Sequence, residues 1–260
     1  MTATLTPQVD VRRADERLKT RLGWLDSKHS FSFSRHYDPA NTHHGLLMVN
    51  NDDIVNPGTG FETHPHQDME IVTWVLQGSL VHQDSEGHTG VIYPGLAQRL
   101  SAGTGILHSE KNDSWRLSGE AHTDPVHFVQ MWVVPDESRI TPGYEQLEID
   151  HELLSGRLVP VASGMPGHEG AAAIRIKNRY AAFHVSRLQP LSSRVNRRHH
   201  IARPGRTCRN RLRKAQQRTH HFHVAENFPH HETNEALHTG RDEKSIQMRH
   251  VIRHQQRRAA

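Results

Sequence analysis

Two short segments of the chain carry residue types and spacings that can hold a metal ion. The first is Gly58-Thr-Gly-Phe-Glu-Thr-His64-Pro-His66-Gln-Asp68-Met-Glu70, and the second is Gly103-Thr-Gly105-Ile-Leu-His108-Ser-Glu110-Lys-Asn112. On a strand, residues two apart point to one side. His64 and His66 therefore offer two imidazoles to the same space, and His108 and Glu110 offer an imidazole and a carboxylate. Two strands meeting inside a barrel would join them into a set of three histidines and one carboxylate. Such a set suits iron(II), manganese, cobalt, nickel, copper or zinc, and leaves an octahedral ion two positions open for substrate or dioxygen. Affinity order alone does not choose among these ions.

Other candidates weigh less. Asp68 and Glu70 continue the parity of His64 and His66 and are read as structural or imidazole-orienting groups rather than ligands. Asn112 is read as a local hydrogen-bonding group. His82, His88, His122 and His127 are assigned to surface or cross-strand positions, and His43-His44 to a solvated loop. His221-Phe-His223 repeats the His-x-His spacing without a strand or glycine frame and is assigned to chance. Trp74, Phe128, Met131 and Trp132 are core candidates, of which one or two could border a cavity. No Gly-x-Ser-x-Gly, no P-loop and no helix-opening Gly-x-Gly-x-x-Gly is present, which disfavours hydrolytic triads and nucleotide cofactors.

These residues need strands to position them. After an N-terminal arm (1–21), residues 22–135 read as short strands at 30–34, 45–49, 70–76, 79–83, 90–93, 98–101 and 126–134. Turn chemistry separates them, including Asn51-Asp52-Asp53, Asn56-Pro57-Gly58 and Ser85-Glu86-Gly87. Strands so spaced, without long helical patterns, predict an all-β sandwich or barrel. Residues 136–190 read as a short helix over 148–154, a strand at 157–162, a loop at 164–170 and strands at 173–176 and 181–188, the opening of a second β-domain.

From Leu191 the composition changes. Residues 191–260 hold sixteen Lys and Arg against five Asp and Glu, whereas residues 1–190 hold sixteen against twenty-three. The net charge of +4 thus averages an acidic body and a basic tail. The body's balance argues against direct DNA contact; the tail could bind nucleic acid only nonspecifically, with steep salt dependence. The tail is expected to be weakly structured, and translation in a shifted reading frame is a second account of its Arg/His-rich sequence. The single cysteine, Cys208, lies in the tail, so no disulfide or sulfur-ligated metal is expected in the body. No apolar run near the start resembles a signal peptide, and none is long enough to cross a bilayer. A soluble, cytoplasmic protein is the expectation; the oligomeric state is not legible.

Gly58-x5-His64-x-His66-x3-Glu70 resembles the first cupin motif, and Gly105-x2-His108-x3-Asn112 the end of the second. The fuller strings, His64-Pro-His66-x-Asp68-x-Glu70-Ile-Val-Thr-Trp-Val-Leu-x-Gly78 and Ser101-Ala-Gly-Thr-Gly-Ile-Leu-His108-Ser-Glu110, resemble the pirin family, and within it bacterial members named for quercetin 2,3-dioxygenase activity. The similarity runs from about Arg12 to Pro190.

The resemblance implies a bicupin with its metal in the N-terminal barrel, held by His64, His66, His108 and Glu110, and with Glu70 not a ligand. Iron(II) is the expected ion. It implies a dioxygenase that opens flavonols such as quercetin with O2 and releases carbon monoxide, with Glu110 as the proton-accepting catalytic residue. Ala97 and Gly103 depart from the general second motif, as they do in pirins. The basic tail departs further, so the second barrel is expected to be incomplete. Two other readings follow from the same resemblance: a non-catalytic metal-binding regulator acting through protein partners, and a degenerate paralogue without activity.

Overall fold

A computed structural model describes residues 13–119, 123–149, 157–171, 173–188 and 219–226. Among them almost everything is strand. A seven-stranded sheet is ordered β1 (Leu18–Arg21), β2 (Leu25–His29), β3 (Leu47–Val55), β10 (Val126–Val133), β5 (Glu70–Gln77), β8 (Leu96–Ser101), β11 (Gly143–Glu148). Facing it is a four-stranded sheet of β4 (Gly60–His66), β9 (Ile106–Lys111), β6 (Leu80–Asp84) and β7 (Thr89–Ile92). The two close the cupin barrel over a core that includes Leu25, Val55, Val75, Leu80, Ile92 and Phe128. One helical turn, α1 (Trp115–Ser118), follows β9.

A third sheet, β13 (Ile174–Arg175), β12 (Val159–Ser163), β14 (Ala181–Leu188) and β15 (Thr219–Glu226), covers the outer face of the seven-stranded sheet. That explains why β10 reads as a nearly continuous apolar run. Val129, Met131 and Val133 face Val161, Ala162, Ile174, Phe183 and Val185, while Val126 and Phe128 enter the barrel core. A strand buried on both faces cannot alternate apolar with polar. Burial of each such large side chain stabilises the fold by about 1.5–3 kcal/mol.

Several sequence expectations change. Ser30–Ser34 is not a strand, because β2 ends at His29 and Ser34 adopts φ +54°, turning the chain. Asn51-Asp52-Asp53 is not a turn but the middle of β3. Pairing to β2 and β10 satisfies its backbone, and its side chains find partners such as His29 and His127. Glu148 ends a strand paired to β8 rather than opening a helix; the remainder of that helix, from Asp150, lies outside the described residues. The arm contributes β1 to the main sheet. Within the tail, expected to be weakly structured, one strand, β15, pairs antiparallel to β14, with His223 opposite His184. Among the described residues the third sheet packs on the seven-stranded sheet and no further sheet covers its other side.

Candidate metal centre

The site is built on two antiparallel neighbours. β4 and β9 pair with His64 opposite His108, His66 opposite Ile106 and Phe61 opposite Glu110, and a bulge between Phe61 and His64 absorbs one extra residue on β4. β4 lies close to β9 here because Gly60 has no side chain; a Cβ there would run into the carbonyl oxygen of Glu110. The three imidazoles converge, with ring centroids 4.8 Å (His64–His66), 4.5 Å (His64–His108) and 4.9 Å (His66–His108) apart. One nitrogen from each falls within 4.8 Å of the others. Glu110 meets the same 4.8 Å criterion with His108 and with His82, a residue of β6.

The electrostatics favour the neutral form of His66 and His108. Burial, then His108 and His64, push His66 down to about 4. Burial, then His64 and His82, push His108 down to about 3. Nδ1 of His64 donates to the carbonyl of Glu62 at 2.7 Å, which leaves Nε2 as the lone-pair nitrogen. Nε2 of His66 and Nε2 of His108 are buried without a hydrogen-bond partner. Buried polar atoms are otherwise almost always satisfied, and a divalent cation would satisfy both lone pairs at once. The residues fit a borderline ion with imidazole and carboxylate ligands.

Glu110 is held from behind. The side-chain amide of Gln130 donates to both carboxylate oxygens at 2.9 Å, and Gln130 Oε1 accepts from Trp132 Nε1 at 2.9 Å. Gln130 was not singled out from the sequence, although a lone amide inside the run Val126–Val133 was a signal. In front lies a cavity of about 780 Å³ whose wall includes Trp24, Phe33, Phe61, Trp132, His64 and Glu110. The same wall carries His29, Asn51 and Asp53. His29 donates to Asn51 (2.9 Å) and accepts from Thr20 (2.8 Å). Burial raises Asp53 to about 7, with Asp52 and Glu110 adding to the effect against a Ser27 hydrogen bond. Among the described residues no Lys or Arg lines this cavity.

The remaining candidates separate from the site. β4 ends at His66, and the turn through Asp68, at φ +48°, breaks the parity on which Asp68 and Glu70 were placed beside the histidines. Asp68 accepts from the Arg139 backbone. Glu70 faces the third sheet, accepting from Ser101 at 2.8 Å and from the Lys177 amide at 2.5 Å. Asn112 bonds the carbonyls of Val55 and Asp124. His127 pairs with Asp52 at 2.6 Å, and His43 and His44 do not line the cavity. Trp74, Phe128 and Met131 are core, whereas Trp132 borders the cavity. His82, placed at the surface or across a strand, is fully buried next to His108. His122 lies outside the described residues.

The Pirin family model matches residues 10–133. A Mycobacterium tuberculosis protein named "Putative quercetin 2,3-dioxygenase" is 61% identical over 186 residues, covering 72% of this chain and 72% of its own length. An Escherichia coli K12 protein named "Quercetin 2,3-dioxygenase" is 48% identical over 140 residues, 54% of this chain and 58% of its own. Among solved structures, bacterial pirin YhhW from Escherichia coli in complex with nickel(II) is 38% identical, with a TM-score of 0.60 over 70% of this chain and 72% of that one. Among the described residues no helix is long and apolar enough to cross a membrane.

Proposed function

This chain belongs to the pirin family, and from that premise we propose that it is a metal-dependent dioxygenase of flavonol-like phenols, with His64, His66, His108 and Glu110 as ligands and Glu110 also as the base. The observation that carries the reading is the pair of buried, unpartnered Nε2 atoms on His66 and His108, set beside a carboxylate on the wall of an aromatic cavity. A nickel(II) complex is known for the related pirin YhhW; iron(II) is the ion we expect here, and the same ligands accept either.

When bound, the cation supplies Lewis acidity that lowers the pKa of a coordinated hydroxyl. The protein's own groups do the rest. Trp24, Phe33, Phe61 and Trp132 present aromatic surface to a planar ring system. Glu110, kept in place by both hydrogen bonds from Gln130, takes the proton of the 3-hydroxyl. The resulting enolate is electron-rich enough to react with dioxygen, and ring opening releases carbon monoxide. His29, Asn51 and Asp53, which also line the cavity, offer polar partners to further hydroxyls. Among the described residues no Lys or Arg lines the cavity beside Asp53 and Glu110, which favours neutral phenols over carboxylates or phosphates.

The test is aerobic incubation of the full-length protein, stripped with chelator and reloaded with iron(II) or nickel(II), while the visible absorbance of quercetin and the carbon monoxide in the headspace are followed. Metal-dependent bleaching with carbon monoxide release, lost in His64→Ala of unchanged thermal stability, is expected. A well-folded His64→Ala protein that keeps its metal and its turnover overturns the reading. Stoichiometric metal binding without turnover would favour the regulatory alternative.

A further inference from the structure

Next to His108, two further buried groups stand in a line. Nδ1 of His108 lies 3.4 Å from Nδ1 of His82, and Nε2 of His82 lies 3.2 Å from Oδ2 of Asp84. The side chains of His82 and Asp84 are fully buried. Asp84 is fixed in turn: its Oδ1 accepts from the Glu86 and His88 amides, both at 3.0 Å, and from Nδ1 of His88 at 3.1 Å. Tyr144 stacks on His82 (centroids 4.8 Å, 26°) and on His88 (5.4 Å, 16°). Gly90, opposite His82 on β7, leaves room for the Tyr144 hydroxyl, which a Cβ there would strike.

The proton positions along this line follow from its ends. Asp84 can only accept, so Nε2 of His82 donates to it, and in the neutral imidazole Nδ1 of His82 is left as an acceptor. Nδ1 of His108 must then be the donor, which leaves Nε2 of His108, buried without a hydrogen-bond partner, with its lone pair free.

We propose that His82 and Asp84 are positioning residues of the metal centre, an imidazole–carboxylate relay that fixes the tautomer and ring orientation of His108 so that its Nε2 is the ligating atom. Outer partners of ligating histidines orient the ring and raise its basicity. Here the usual single carboxylate is replaced by a histidine and an aspartate in series. His82 also satisfies the geometry of a ligand with His108 and Glu110. That use would require His108 to turn Nδ1 toward the ion and leave Nε2 buried without a partner, so the relay is the assignment that satisfies both nitrogens.

The inference rests on the metal centre proposed above but not on its substrate. The test titrates cobalt(II) chloride into the full-length apoprotein and its variants, reading affinity by competition with a chelating dye and coordination by the visible absorption of cobalt. His82→Phe keeps an aromatic ring against Tyr144 but has no acceptor, and is expected to weaken cobalt binding by about 10–100-fold. His82→Gln retains an acceptor and should lose less, with the wild-type cobalt spectrum. Asp84→Asn, which removes the charge at the end of the line, should fall between wild type and His82→Phe.

Affinity within about twofold of wild type in a folded His82→Phe protein overturns the proposal, as does a change of cobalt coordination in His82→Gln, which would make His82 a ligand. Should His82→Phe not fold, unchanged affinity in Asp84→Asn overturns it equally. Cobalt binding unaffected by His64→Ala would remove the centre and the relay together. Tight cobalt binding without quercetin turnover would leave the relay standing and remove only the proposed substrate.

Discussion

On one face of the seven-stranded sheet, Val129, Met131 and Val133 meet Val161, Ile174 and Phe183 of the third sheet in a wholly apolar contact. On the other face, one residue out of phase, Gln130 and Trp132 meet Glu110 and the cavity beside the histidines. The same strand therefore serves two regions of opposite character. The outer region buries apolar area and makes few demands on hydrogen bonding. The inner region keeps neutral imidazoles and carboxylates out of water with unmatched lone pairs, which costs stability in the metal-free protein. The third sheet stands on the side that stabilises the fold, away from the face that carries the histidines.

The contrast is broken most severely at Phe183, which is 1% exposed between the sheets. Phe183→Ala should destabilise the protein by about 3–5 kcal/mol in urea unfolding, while the fraction that remains folded binds metal as tightly as wild type. A parallel loss of affinity in the folded fraction would show that the two faces are not separate.

A smaller effect with a definite sign is expected at Asp53. Because its carboxyl is raised to about 7, it contributes stability below its unfolded value near 4 and loses that contribution as pH rises through 7. His66 and His108, held down to about 4 and 3, act oppositely: their contribution is present above the free histidine value near 6.5 and is lost as pH falls through 4 and 3. In the metal-free wild type the two trends offset each other at mildly acidic pH. Asp53→Asn should be more stable than wild type above pH 7 by on the order of 1–4 kcal/mol, with the gap closing toward pH 4. Denaturant midpoints that stay parallel across that range would refute the assignment.

Legibility followed the range of the interactions. His64, His66, His108 and Glu110 could be paired from parity because each pair lies within one strand and a glycine-rich entry marks each strand. β14 was read at its observed limits, Ala181–Leu188, since its alternation is local. Glu70 was misplaced on the site face because parity survives only while the strand continues, and one residue at positive φ, Asp68, ends it. His82, Gln130 and Asp53 were not singled out for the site because what makes them part of it is register: Gln130 opposite Thr73 and Asn51, and His82 opposite Glu110. Asn51-Asp52-Asp53 misled for the same reason, since turn chemistry was judged without the flanking strands that satisfy it. The tail's β15 had no local alternation to announce it and is seen only by its pairing with β14.

The finest form of the contrast lies within β9. Ile106, His108 and Glu110 are buried on the inner side, while Leu107 and Lys111 have the opposite parity. Lys111 is one residue from the proposed base, yet its ammonium reaches outward to Glu62 at 2.8 Å in a solvent-accessible pair. Charge proximity alone would make Lys111 a candidate to tune the centre; strand parity makes it a surface residue. Lys111→Ala should therefore cost less than about 1 kcal/mol in thermal unfolding and leave cobalt(II) affinity within about twofold of wild type, in contrast to the relay variants on the buried side of the same sheet. A tenfold loss of affinity would mean that the field of this exposed ammonium reaches the ligands, and that parity does not divide the strand into a chemical and a structural side.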